Sequence, residues 1–375
     1  MFSGHATAEG TARYRDRFPA LRDLEHFRPV QHLPGAGDLW VSSIGHGTYL
    51  GEPDDAADEE YTAAIATSLR SGINVLDTAI NYRHQRSERN VGRALQQLIS
   101  SGELRRDEVL LCTKAGYLCF DGNLAPDPRR YFAEEYVESG ILDPSQLAGG
   151  MHCMAPGYLQ NQIERSRNNL GVETIDVFYV HNPESQLADV SQDVFYRRLR
   201  DAFAMLETLV KAGSLRYYGI ATWNALRLPQ GSRDFVDLAH VVELAQQVGG
   251  QDHRFRFVQL PFSLAMTEAC VLLNQGSARQ KKSLLGTAAE LGVAVVGSAT
   301  LHQGHLVTGL PEHVRRGLGH KRDSANAIQF ARSAPGISVS LVGMGHREHV
   351  VENLKASLLP PMPADDWKKL FASQP

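Results

Sequence analysis

From Trp40 onward the chain alternates short β-branched apolar runs with amphipathic stretches of helical period. The pattern predicts strands over 43–48, 73–78, 108–114, 175–181, 215–221, 255–260, 293–299 and 336–343. Most of these are continuous apolar runs, as expected of parallel strands covered on both faces. Between them the pattern predicts helices over 57–71, 88–101, 157–170, 194–212, 236–248, 278–291, 322–334 and 347–357. Gly72, Gly171, Gly213 and Gly292 follow four of these helices, where a left-handed C-cap residue is wanted. Repeated strand–helix alternation forms either a doubly wound sheet or a closed barrel. Eight units, with no G-x-G-x-x-G after the first strand, favour a (β/α)8 TIM barrel.

Three segments depart from this rhythm. Residues 1–36 mix Gly, His, Arg and Pro without sustained periodicity and read as an N-terminal extension to a single barrel domain over 37–375. Residues 117–156 separate the third strand from its helix by about forty residues, against two to six in an ordinary connection. A loop of that length in a compact domain is functional or disordered, and its aromatic content argues for order. Residues 299–321 form a second long connection.

Composition narrows the function classes. With 43% hydrophobic residues in 375, the chain can bury a large core. Its net charge of −4 lacks the basic excess of a nucleic-acid or membrane-surface protein. Four cysteines, Cys112, Cys119, Cys153 and Cys270, are too few for a disulfide scaffold. No signal-peptide-like apolar segment and no 18-residue apolar run occurs, so a cytoplasmic location with reduced thiols is expected.

In such a barrel, catalytic groups sit at the C-terminal ends of strands. Asp77 closes strand two, with Tyr82 five residues later. Lys114 closes strand three and His181 strand four. Charged or imidazole groups at the edge of apolar runs are costly unless paired. A tyrosine hydroxyl, with an ordinary pKa near 10, is a poor acid at neutral pH. A neighbouring ammonium favours the phenolate and an aspartate keeps that ammonium charged. A neutral histidine can orient a carbonyl. Together the four residues can protonate a carbonyl oxygen while hydride reaches its carbon. Each alone has a plainer reading as a loop cap, half-buried aromatic, solvated lysine or turn histidine.

Cys119, His152 and Cys153 share the long insertion and include zinc-type donors, but no fourth ligand or zinc spacing accompanies them, and no metal is expected. Ser87 before Glu88 reads as a helix N-cap. The insertion's aromatics, Tyr117, Phe120, Tyr131, Phe132 and Tyr136, fit either a ring-bearing ligand or packing of the loop on itself.

The stretch GINVLDTAINYRHQRSERNVGRAL resembles the aldo-keto reductase superfamily, as do TK at 113–114, VH at 180–181 and VGMGHREHVVENL at 342–354. The resemblance runs from about residue 40 to 358. It implies a (β/α)8 barrel, NADP(H) as cofactor with NAD(H) the alternative, and a quartet mapping to Asp77, Tyr82, Lys114 and His181. Tyr82 would be the general acid, Lys114 and Asp77 its tuners, and His181 the carbonyl-orienting group.

The cofactor residues it implies are Gly47 and Thr48 after strand one, Thr222 and Asn224 after strand five, and Gln259 at the end of strand six. Ser298, Leu301 and Gly304 follow strand seven. Gly343, Gly345, His346, Arg347, Glu352 and Asn353 follow strand eight, where a helix N-terminus suits a phosphate. Departures are visible: GIATWN puts Ala221 and Thr222 where the family places Ser and Asn, and Ser298 stands where many relatives place a stacking aromatic. The TKAGY and HNPE forms are closer to the sugar-dehydrogenase branch. The resemblance therefore implies an oxidoreductase that reduces an aldehyde or ketone, with a sugar or lactol 1-dehydrogenase and a non-catalytic cofactor-binding regulatory subunit as alternatives. The partner expected is a small carbonyl or sugar, with neither nucleic acid nor membrane. The sequence carries no signature of oligomeric state.

Overall fold

The computed structural model describes residues 1–31, 33–34, 37–277 and 279–372. The first residue of the helix predicted over 278–291, and residues 32, 35 and 36 of the N-terminal extension, lie outside the described residues. Eight parallel strands close a barrel: β1 (Ile44–Gly47), β2 (Val75–Asp77), β3 (Leu110–Ala115), β4 (Ile175–His181), β5 (Leu215–Ala221), β6 (Phe255–Pro261), β7 (Ala294–Ser298) and β8 (Ile337–Gly343). Sequence neighbours pair around the ring, and β8 closes onto β1. The helices on the outside are α1 (Asp55–Arg70), α2 (Arg86–Ser100), α3 (Pro156–Leu170), α4 (Gln192–Lys211), α5 (Leu238–Gly249), α6 (Leu284–Glu290), α7 (Asp323–Ser333) and α8 (Arg347–Asn353). This is the (β/α)8 TIM barrel that the alternation predicts.

The period of two along each strand decides which side chains face the barrel axis. Val75, Leu110, Cys112, Val177, Tyr179, Tyr217, Phe257, Val296, Val339 and Leu341 form one buried interior cluster. Counting two residues on from these positions, and four on from Tyr217 through Gly219, the uppermost interior layer consists of Asp77, Lys114, His181, Ala221, Gln259, Ser298 and Gly343, with Gly47 following Gly45 on β1. The outward positions Leu111, Phe178, Val180, Ile220 and Val258 pack instead into the larger core beneath the helices. The polar strand ends are thus the lid of an apolar stack, carried by a rigid scaffold.

The opposite end is closed by an antiparallel hairpin, Phe27–Val30 with Leu39–Ser42. Val30, Leu39 and Val41 belong to the barrel's interior cluster and plug its floor. The hairpin straddles position 36, and a helix at Ala8–Asp16 precedes it. Ala6 N donates to the buried Asp176 carboxylate at 2.6 Å, tying the first residues to β4.

One expectation is corrected here. Helix α6 is much shorter than 278–291, because Gln275–Ser277 and Gln280–Lys282 pair as a small hairpin instead. Gly276, in the first strand of that hairpin, sits at φ +82, and a Cβ there would stand 2.5 Å from the Gln280 carbonyl oxygen. A C-terminal helix, Ala364–Ala372, follows α8 and packs Trp367 against Phe262 and Phe330.

Candidate active site

Asp77, Lys114 and Gln259 form a tight buried group. Lys114 Nζ lies 2.5 Å from Asp77 Oδ1 and donates to the Thr78 carbonyl at 2.8 Å. Gln259 Nε2 donates to Asp77 Oδ2 at 2.8 Å. Lys114 is fully buried, so its charge needs these partners. Burial pulls the ammonium toward neutrality, but the Asp77 carboxylate and the Tyr82 phenol outweigh it, and its pKa stands above the ordinary lysine value. Its Nζ is 5.0 Å from the centroid of the Tyr82 ring.

Tyr82 reaches that position because the chain after β2 runs along β3. Thr78 N donates to Cys112 O at 3.0 Å, and Ile80 N to Lys114 O at 3.1 Å. Arg83, His84 and Gln85 then follow with φ of 48°, 56° and 71°, three left-handed non-glycine residues in a row. Such backbone costs on the order of 1–2 kcal/mol per residue and persists only where surroundings hold it. Here Arg83 is the anchor. Its guanidinium pairs with buried Asp58 of α1 at 2.8 Å, donates to Asn90 Oδ1 at 2.9 Å and lies over the Tyr61 ring. Asp58 also receives Arg86 at 2.8 Å and Arg93 at 3.3 Å, both from α2. This turn also corrects the expected start of α2. The helix begins at Arg86, and Ser87, already inside it, gives its hydroxyl to the Thr48 carbonyl at 2.8 Å.

The balance on Tyr82 differs from the expectation that Lys114 would lower its pKa. Burial raises the phenol, Lys114 opposes, and burial prevails. His181 is displaced the other way. Burial first, then Lys114 and His152, hold its imidazole well below the usual histidine range, so it is neutral. Its ring stands edge-to-face against Tyr82 at 5.8 Å and against Tyr117 at 5.4 Å.

The other expected residues divide into those on the rim and those drawn elsewhere. Thr48, Thr222, Ser298, Leu301, Gly343 and Gly345 lie at or just beyond strand ends on the same face as the quartet. Thr222 is buried with Oγ1 unpartnered among the described residues, and so is Thr300, which lies within the stretch Ser298 to Leu301 expected beneath the nicotinamide. A Cβ on Gly343 would meet nothing within 4 Å, and one on Gly345 would stand 3.2 Å from the Tyr61 ring. Gly304 (φ +91) closes a turn in which Ala299, His302 and Gln303 are also left-handed. His346 caps α8, with Nδ1 3.4 Å from Glu60, and Arg347 is exposed beside it. Asn224 is exposed and accepts from Arg227 at 3.3 Å. Glu352 is held by Arg322 at 2.7 Å, while Asn353 is buried. Gln259 commits one amide N–H to Asp77, leaving its oxygen and its second N–H for another partner.

Sequence reasoning missed Glu184, whose Oε1 accepts from the backbone N–H groups of Trp223 at 2.7 Å and Asn224 at 3.2 Å and so shapes the β5 loop. The HNPE motif was its only signal. The insertion's aromatics pack mainly on one another: Phe120 stacks on Phe132 at 4.7 Å, and Phe132, Tyr136 and Tyr158 continue the cluster. Tyr117 is the exception. Cys119 Sγ contacts Tyr136 and Gln162, and both ring nitrogens of His152 face protein groups. Among the described residues no three His, Cys, Asp or Glu side chains converge, and no helix is long and apolar enough to cross a membrane.

A single barrel whose interior ends in Asp, Lys and His beneath a tyrosine defines a recognisable class. The Aldo/keto reductase family profile matches residues 43–373. The chain belongs to that family. It is 27% identical over 237 residues to a D-threo-aldose 1-dehydrogenase of a Pseudomonas species, covering 63% of this chain and 64% of that protein. It is 26% identical over 221 residues to an uncharacterised oxidoreductase of Bacillus subtilis, covering 59% and 56%. The chain thus spans less than two thirds of the length of the curated relatives it matches. Among solved structures it resembles a Bacillus halodurans aldo-keto reductase in its holo form, with TM-score 0.59, 19% identity and 92% and 96% of the two chains covered. A Klebsiella pneumoniae aldo/keto reductase in complex with NADP and acetate matches with TM-score 0.55, 19% identity and 89% and 92% coverage. These structural likenesses bear on the fold.

Proposed function

We propose that the protein is an NADP(H)-dependent oxidoreductase, with NAD(H) as the alternative cofactor, that reduces an aldehyde or ketone to an alcohol. The carrying observation is Lys114, 2.5 Å from Asp77, with its Nζ 5.0 Å from the Tyr82 ring centroid, and neutral His181 edge-to-face with the same ring at 5.8 Å. In this reading Tyr82 is the general acid. Its raised pKa keeps the proton on the phenol at neutral pH, which suits donation to a carbonyl oxygen. Lys114 stabilises the phenolate left behind, and Asp77 keeps Lys114 charged. His181, neutral, orients the carbonyl by hydrogen bonding.

The cofactor supplies hydride when bound. The residues at the rim fit it: among the described residues Thr222 and Thr300 carry buried hydroxyl oxygens without partners, and the space beside Gly343 is open. Thr222 and the Gln259 oxygen would hold the nicotinamide end. Ser298 to Gly304 would hold the phosphates. Gly343 to Arg347 with Asn353 would hold the adenosine end, and exposed Arg347 supplies the positive charge a 2′-phosphate prefers. The solved Klebsiella neighbour, described as bound to NADP, supports the same choice.

A second reading, oxidation of a sugar at carbon 1 on the same site, is favoured by the D-threo-aldose 1-dehydrogenase relative. Titrating NADPH and NADH by fluorescence quenching tests the cofactor assignment, and binding of neither overturns both readings. Absorbance at 340 nm then separates them. Aldehydes and ketones with NADPH should turn over faster than free aldoses with NADP+, and the reverse order would favour the dehydrogenase.

A further inference from the structure

The long insertion between β3 and α3 meets the proposed site at one point. His152 Nε2 lies 2.8 Å from the backbone carbonyl oxygen of His181. A carbonyl only accepts, so Nε2 carries the hydrogen. Nδ1 then accepts, and Gln186 Nε2 stands 2.8 Å from it. Gln186 Oε1 in turn accepts from Arg198 of α4, whose guanidinium also binds the carbonyls of Ser145 at 3.1 Å and Gln146 at 3.2 Å within the insertion. Every donor faces an acceptor in a single tautomer, and burial lowers the His152 pKa to about 4, so this neutral form persists.

The approach is built into the backbone. A Cβ on Gly116 would sit 2.5 Å from the His181 carbonyl oxygen and 2.8 Å from His152 Nε2. Only glycine lets the two come together there. The stems of the insertion also pair with each other, Leu118 N to Met151 O at 2.8 Å and Cys153 N to Gly116 O at 2.7 Å. Between them Tyr117 sets its ring edge-on to both His152 and His181, at 5.1 and 5.4 Å. Its hydroxyl is fixed by Ser185 and Asn182 just after β4. Segments that open as lids are weakly packed. The base of this one is buried and hydrogen-bonded to the end of β4.

We propose that the insertion is a fixed wall of the site rather than a lid, and that His152 is a positioning residue that holds the His181 backbone and thereby aims its imidazole at the carbonyl. This rests on the reading of His181 above. The plain alternative is that His152 only satisfies the packing of its own loop.

Three variants test it. His152→Phe keeps a ring but removes the donor, His152→Gln retains an amide donor for the carbonyl, and Gln186→Leu releases the imidazole from its Nδ1 partner. His152→Phe and Gln186→Leu are expected to lower kcat at least tenfold, the scale of a misplaced catalytic group, while the dissociation constant for NADPH stays within twofold. His152→Gln should recover most of that loss. Hydrogen exchange of the Asn182 amide should quicken at least tenfold in His152→Phe and remain near wild type in His152→Gln. Unchanged exchange in both His152→Phe and Gln186→Leu overturns the proposal, and so does faster exchange with unchanged kcat. If the wild-type protein reduces no carbonyl, the proposed function falls, and the exchange arm still decides whether His152 holds the end of β4.

Discussion

The buried pair of Asp77 and Lys114 offers a prediction in which stability and turnover part company. Asp77→Asn preserves shape and leaves Oδ1 to accept from Lys114, but it removes the charge opposite a fully buried ammonium and turns an amide N–H toward Gln259 Nε2, donor against donor. Lys114→Met leaves the Asp77 carboxylate with Gln259 as its remaining side-chain donor. Breaking a buried pair from one side costs about 3–5 kcal/mol, because an uncompensated charge stays buried. Removing both charges avoids that penalty, so Asp77→Asn with Lys114→Met should be more stable than the sum of the single losses by on the order of 3 kcal/mol. Urea unfolding of the wild type, both single variants and the double variant measures this directly. Turnover should not follow the recovery, since the double variant lacks the ammonium beside Tyr82. Losses that add within about 0.5 kcal/mol would show that the pair is not an electrostatic unit, and recovered turnover would remove Lys114 from the chemistry.

Three further outcomes are expected. Arg83→Ala, which frees the left-handed turn after Tyr82 from Asp58, should lower kcat by about tenfold in steady-state assays with cofactor affinity held, and wild-type turnover would dismiss the clamp. The kcat of reduction should be flat from about pH 6 to about 9, because His181 is already neutral and the raised Tyr82 phenol still holds its proton; an ionisation between these limits would contradict the assignment. His26 and His46, lowered to about 3, and His152, lowered to about 4, refuse protons that the unfolded chain takes up near pH 6.5. Their contribution is complete above pH 6.5 and is lost as pH falls, ~2 kcal/mol for each between pH 6.5 and 5, so the urea midpoint should drop sharply over that window.

The barrel was legible because its signals are local and repeated. Runs such as IDVFYVH at 175–181 match β4 to the residue, and they also place His181 in the uppermost interior layer. Asp77 and Lys114 were legible for the same reason, as polar residues ending apolar runs, whereas Gln259 was marked only through the family resemblance. What stayed hidden depends on contacts far apart in the chain. Nothing near Tyr82 foretells that Arg83 reaches back to Asp58 and sustains three left-handed residues, which is why Ser87 looked like a cap. The hairpin at 275–282 has no apolar alternation to announce it, and the close backbone approach at Gly276 does not show in the pattern. His152 was visible as a donor with two cysteines nearby, but its partner, a backbone carbonyl on β4, leaves no trace in the pattern. The expected downward displacement of Tyr82 failed because burial, which no motif encodes, outweighs the lysine.

Tyr82 as the proton donor is open to direct test. The most direct measurement compares Tyr82→Phe with the wild type in single-turnover reduction of a good carbonyl substrate, following NADPH at 340 nm with cofactor affinity measured in parallel. The expected rate is lower by at least 10²-fold with the NADPH dissociation constant unchanged within about twofold. An unchanged rate with the phenol removed would contradict it.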